Sequence, residues 1–278
     1  MSASDTGHQT GANLPALLLH GQPGSARDWT LVEDAVGERL KTIAIDRPGW
    51  DGRSEPGGLE PSGRAAVAAL DGAGAARAVV VGLSFGAAVA TWVAAEHPER
   101  VAALVLVSPA ANTASLQPVD RLLALPGVGY AASAGVLAGA GLALASGRVR
   151  QRLERTFALP DDYLRTASRR LRRPAAWTAF VVEQRALLEE LPRLEERLSE
   201  ITAPTTVVVG TADTVVPLEA SRQLSRQIPA AKLVEIPGGH HVLPAEHPAR
   251  LAELILAAAG PGGVYSSASS RSSTSRSS

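Results

Sequence analysis

The stretch VVVGLSFGAAVATWVAAEHP, Val79 to Pro98, decides the fold. It opens on a β-branched apolar run, turns through Gly82-Leu83-Ser84-Phe85-Gly86, and continues as an Ala-rich apolar segment closed by His97-Pro98. A continuous β-branched run suits a strand buried on both faces. The segment after it predicts a helix over Phe85–His97, ended where proline disfavours helical geometry at the residue before it. Gly-x-Ser-x-Gly between strand and helix implies a sharp turn whose small flanking residues let the two backbones approach closely. A serine held at such a turn is a candidate nucleophile; the plainer alternative is a turn serine capping the next helix.

Similar strand text recurs along the chain: PALLLHG from Pro15, KTIAIDRPG from Lys41, RAVVVGLS from Arg77, VAALVLVSP from Val101, PTTVVVGTAD from Pro204 and AKLVEIPGG from Ala231. Helical signals separate most of these runs, at Arg64–Leu70, Phe85–His97 and Leu218–Gln227. Strand and helix in alternation require crossover connections. The fold class expected is therefore α/β, a doubly wound and mostly parallel sheet of about six strands.

From about Asn112 to about Ile201 the alternation stops and the text is helical, with Pro126, Pro160, Pro174 and Pro192 expected to divide it into four pieces. The organisation expected is a core from residues 13–112 and 201–258, a helical cap or lid over 113–200, and a disordered Ser/Arg-rich tail over 259–278.

Composition excludes several classes of function. The 278 residues carry 27 basic and 27 acidic side chains, so the net charge of zero gives no support for nucleic-acid binding. There are no cysteines, hence no disulfide, thiolate nucleophile or thiolate metal site. The N-terminal segment lacks the apolar core of a secretory signal, which makes the cytoplasm the default location. Gly127–Gly147 is uncharged and long enough to raise the membrane question, but its Ala and Gly supply little transfer energy, so a buried or lid helix is expected. No spacing of histidines and carboxylates suggests a metal, and no motif calls for a cofactor.

Several motifs together resemble the α/β-hydrolase superfamily, over nearly all of Pro15 to Leu256. Besides the Ser84 turn, His20-Gly21-Gln22-Pro23-Gly24 resembles the family's oxyanion loop, and Asp46 to Ser54 is similar to its Asp-x-Pro-Gly-x-Gly-x-Ser loop with one extra residue near Asp51. HPERVAALVLVSPA and GTADTVVP also match its text. Few residues precede the first strand, so the leading hairpin of many members is expected to be absent or truncated.

The resemblance implies a Ser-Asp-His triad in that chain order. Serine needs an adjacent base to become nucleophilic, imidazole is suited to take and return the proton, and a carboxylate orients it. Ser84 and Asp213 fill the first two places. For the third, EIPGGHHVLP offers two neighbours, and the family register Pro-Gly-x-Gly-His lays His241 on the catalytic position with His240 in place of a glycine. The oxyanion donors implied are the backbone N–H groups of Gln22 and Phe85. His20 is read as a structural histidine holding its loop, and His97 and His247, each before a proline, as capping or surface residues.

The lid is expected to place Leu123, Leu125, Tyr130, Trp177 and Phe180 around a small apolar substrate. The basic run RTASRRLRRP is read as a solvated helix face, with recruitment of an anionic substrate by Arg169, Arg170 or Arg172 as the lesser alternative. The function expected is hydrolysis of a carboxylic ester or lactone through an acyl-enzyme on Ser84. The same triad also serves perhydrolysis, C–C bond hydrolysis and acyl transfer, and a small-molecule receptor with little turnover is the alternative of another class.

Overall fold

Each of the six apolar runs forms a strand in a computed structural model that describes residues 14–157 and 159–260. In chain order the core elements begin with β1 (Ala16–Leu19), α1 (Thr30–Val36), β2 (Thr42–Ile45), α2 (Leu59–Gly72), β3 (Ala78–Leu83), α3 (Phe85–Glu96) and β4 (Val101–Val107). Five helices follow: α4 (Pro118–Ala124), α5 (Val128–Ala143), α6 (Gly147–Phe157), α7 (Asp161–Leu171) and α8 (Pro174–Glu196). The chain then returns through β5 (Thr205–Gly210), α9 (Leu218–Gln227), β6 (Lys232–Ile236), α10 (Leu243–Glu246) and α11 (Pro248–Ala259). His8 and the Ser/Arg-rich stretch from 261 onward lie outside the described residues.

All strand pairs are parallel, in the order β2-β1-β3-β4-β5-β6. The order reverses between β1 and β3, the point where sheets of this type open a crevice at the carboxyl ends of their strands. Side chains alternate between two layers. Leu17, Leu19, Val80, Leu104 and Leu106 pack with residues of α2, α3, α8 and α9 on one face. Ala16, Leu18, Val79, Val81 and Val105 pack with α1 and α11 on the other. β1 and β3 are buried throughout and β4 and β5 at all but one residue each, whereas β2 and β6 are half-buried because each has a neighbour on one side only.

Proline placement does not divide the α4–α8 segment as expected. Pro192 lies inside α8, where it removes one helical hydrogen bond, because Leu187, Leu191 and Leu194 anchor that end of the helix in the core layer. Packing outweighs propensity here. Conversely, α5 ends at Ala143 without a proline, and Arg150 Nη1 donates to the carbonyls of Leu144 (2.9 Å) and Ala145 (2.8 Å) just beyond it. Among the described residues, and apart from Val215, the exposed large hydrophobic residues all lie between Val119 and Leu142. No single described helix is long and apolar enough to cross a membrane; α4 and α5 together pass that test of length and hydropathy but are bent by 112°.

Candidate active site

The elbow after β3 is set by sterics. Ser84 has φ 52° and ψ −116°, a region that non-glycine residues rarely occupy and that costs on the order of 1–3 kcal/mol. Any Cβ on Gly82 would lie 2.2 Å from the Gly86 carbonyl oxygen, and one on Gly86 would lie 2.3 Å from that of Leu19. Both glycines are therefore needed for backbones to pass in contact. The Ser84 N–H donates to Val107 and its carbonyl accepts from Ala110, which ties the strained residue to the end of β4.

Parallel pairing brings the loops after β1, β3, β5 and β6 to one edge of the sheet. After β5, the wholly buried Asp213 side chain accepts the N–H groups of Val215 (2.8 Å) and Val216 (3.0 Å) on Oδ1. Its other oxygen lies 2.8 Å from Nδ1 of His241, after β6. Burial pushes the Asp213 carboxyl up, but the bond and charge of His241 with the two N–H donors outweigh it and hold the group below the usual carboxylate range. A Nδ1–H bonded to this carboxylate leaves Nε2 as the basic atom. The Ser84 hydroxyl makes no direct hydrogen bond to the His241 ring, whose bonded partner is Asp213.

The neighbouring imidazole goes elsewhere. His240 donates its backbone N–H to Glu246 Oε2 (2.8 Å), has Nδ1 3.3 Å from the same oxygen, and sits edge-on to Phe157 of α6, with ring centroids 4.8 Å apart. Only one of the adjacent pair faces Asp213.

The loop after β1 is built around two buried side chains. His20 Nε2 accepts the backbone N–H of Arg47 (3.0 Å), so its proton is on Nδ1, which donates to the Gly21 carbonyl (2.7 Å). Burial, reinforced by the charges of Arg47 and Arg170, drives the His20 pKa well below its ordinary value. This imidazole is neutral and structural. Phe85, at the first position of α3, has an N–H with no acceptor within the helix. The Gln22 N–H likewise has no acceptor among the described residues.

Sequence reasoning missed the charge behind this loop. Arg47, fully buried, donates from Nε to the His20 carbonyl (3.0 Å) and from Nη2 to that of Gly21 (2.9 Å). Its guanidinium also pairs with Glu183 of α8, equally buried, which accepts from Trp50 Nε1 at 2.7 Å. Burial pushes the Glu183 carboxyl up against the opposing pull of Arg47 and Trp50. The missed signal was register: Ala176, Ala179, Glu183, Leu187, Leu191 and Leu194 follow one helical face, so the carboxylate stands where an apolar residue was due. The extra residue Asp51 closes its loop by accepting from the N–H groups of Arg53 and Ser54 and from the Ser54 hydroxyl.

Within the basic run, Arg169 and Arg172 are exposed, but Arg170 is not on a solvated face. Its Nη1 reaches Ser25 Oγ (2.7 Å) and Asp28 Oδ1 (3.0 Å), pinning α7 to the loop after β1 with its charge already paired. Two of the five expected pocket residues are exposed. Leu125 and Tyr130 are 47% and 40% exposed, Tyr130 rests edge-on against Trp177, and Trp177 Nε1 donates to the Leu171 carbonyl. A cleft of about 280 Å³ between α7 and the first loop is lined by Arg27, Asp28, Leu31, Tyr163 and Thr166, and by none of those five. Among the described residues no three His, Cys, Asp or Glu side chains converge to hold a metal ion.

Comparison with known proteins agrees with this architecture. The family model for the α/β-hydrolase fold matches residues 15–248. A 2-hydroxymuconate semialdehyde hydrolase of Pseudomonas sp. (strain CF600) is 27% identical over 264 residues, covering 89% of this chain and 87% of its own. A pimeloyl-(acyl-carrier protein) methyl ester esterase of Aeromonas hydrophila is 27% identical over 247 residues, covering 86% and 92%. The structure of Est816, described as an N-acyl homoserine lactone degrading enzyme, superposes with a TM-score of 0.66 at 25% identity, covering 88% and 93%. The chain belongs to the α/β-hydrolase fold family. It is a hydrolase, as its relatives along the full core are.

Proposed function

We propose that this hydrolase cleaves a small, largely apolar carboxylic ester or lactone through an acyl-enzyme on Ser84. The observation that carries the proposal is the strained Ser84 at φ 52°, on the same sheet edge as the Asp213–His241 pair bonded at 2.8 Å. His241 Nε2 takes the proton as Oγ attacks the carbonyl carbon, and returns it to the leaving alkoxide as the ester C–O bond breaks. Water, deprotonated by the same imidazole, then attacks the acyl-enzyme and releases acid and serine. The N–H groups of Gln22 and Phe85 receive the oxyanion at both stages. The methyl ester and lactone named for two relatives support this substrate class.

The 2-hydroxymuconate semialdehyde hydrolase among the relatives gives a second reading, in which the same residues hydrolyse a C–C bond beside a carbonyl. A panel of p-nitrophenyl esters graded by acyl length, lactones and a vinylogous diketone separates the two. The proposal expects turnover of short esters or lactones that falls by at least about 10³-fold in Ser84→Ala. Undiminished ester turnover in that variant would contradict it.

A further inference from the structure

We infer that Arg47 is a positioning residue for the oxyanion hole, and that Glu183 of α8 holds it in register. The inference rests on the proposed serine mechanism. The Gly21 carbonyl and the Gln22 N–H are the two ends of one rigid trans peptide group, so whatever fixes one end aims the other. At the carbonyl end the group accepts two hydrogen bonds, from Arg47 Nη2 at 2.9 Å and from His20 Nδ1 at 2.7 Å. At the amide end it has no partner among the described residues, and in a trans peptide that N–H points away from the guanidinium. A cation on the carbonyl also polarises the amide, which strengthens the N–H as a donor to a developing oxyanion.

Arg47 touches the other half of the hole as well. Its guanidinium carbon lies 4.6 Å from the ring centroid of Phe85, the residue whose own N–H is the second donor. The three-way geometry needs an arginine. Nε reaches the His20 carbonyl, Nη2 the Gly21 carbonyl, and the remaining N–H groups Glu183, a fork that an ammonium cannot reproduce. A buried ion pair is weak evidence of stability, since an apolar pair of equal volume commonly does as well. What the pair supplies is direction. Glu183, fixed by Trp50 as well as by Arg47, makes the seating of α8 a condition for the aim of the Gln22 N–H.

The test compares full-length wild type, Arg47→Lys and Glu183→Gln, with p-nitrophenyl butyrate as substrate and an aryl trifluoromethyl ketone as a probe of the oxyanion. The ketone adds Ser84 Oγ across its carbonyl, so its affinity reports the hole. Wild-type turnover with fluorophosphonate labelling at Ser84 comes first; without them the serine mechanism fails, whatever the variants do. Given both, we expect kcat to fall about 10- to 100-fold in each variant, short of the loss from deleting a donor outright. KM should stay within about twofold, and ketone affinity should weaken by the same factor as kcat. Glu183→Gln keeps the shape and the acceptor for Trp50, so it decides the matter if Arg47→Lys does not fold. A folded Glu183→Gln enzyme with wild-type kcat and ketone affinity, or with KM and kcat altered together, overturns the inference.

Discussion

Two imidazoles stand at the same edge of the sheet, and the protein treats them in opposite ways. His20, after β1, is wholly buried, with both ring nitrogens committed to backbone groups. His241, after β6, keeps 17% of its side chain exposed and commits one nitrogen, to Asp213. The first is wired to hold a loop, the second to leave a basic atom free. Both are histidines in loops after strands at one sheet edge, so the difference in role comes from what the second nitrogen meets.

Substitutions at the base sharpen that contrast most. His241→Ala, and Asp213→Asn through the wrong tautomer, should each lower kcat by about 10³- to 10⁴-fold with little change in melting temperature. His240→Ala should stay within about threefold, because that ring faces Glu246 and Phe157. Comparable losses in the two His→Ala variants would break the assignment of a single base.

His20 should show itself in stability against pH. In the unfolded chain the ring takes a proton near 6.5, whereas the folded protein lowers that pKa well below this value. The neutral form is favoured on folding, so its contribution is complete above about pH 6.5 and is lost as pH falls toward the folded value. Relative to His20→Asn, chemical denaturation should show wild type losing about 1.4 kcal/mol per pH unit in that window. Parallel pH profiles for the two proteins would contradict the buried neutral assignment. The smallest effect belongs to the surface: Leu142→Ala, at a residue 67% exposed, should change stability by less than about 0.5 kcal/mol.

Much of this was legible in the chain because the signals were local. The apolar runs from Pro15 to Gly239 marked all six strands, and Gly82 and Gly86 flanked Ser84 for a steric reason that a motif can carry. Asp213 and His241 were picked out by the resemblance of GTADTVVP and EIPGGHHVLP to family motifs, each placed after a predicted strand. Long-range side-chain pairs were not legible. Arg47 and Glu183 are 136 positions apart, and only the break in the apolar register of α8 hinted at a buried partner. Arg170 sat in a run of arginines that looked uniformly solvated, yet the crossing of α7 over the first loop picks it out for Asp28. Pro192 misled because core packing of Leu191 and Leu194 outweighs the loss of one hydrogen bond.

The central claim is that Ser84 is a nucleophile activated by His241. The most direct measurement is peptide mapping by mass spectrometry after treatment with an alkyl fluorophosphonate, on wild type and on His241→Ala. The account predicts one adduct per chain, on Ser84, formed rapidly by wild type and slower by orders of magnitude in the variant. Labelling elsewhere, or at an equal rate in both proteins, would contradict it.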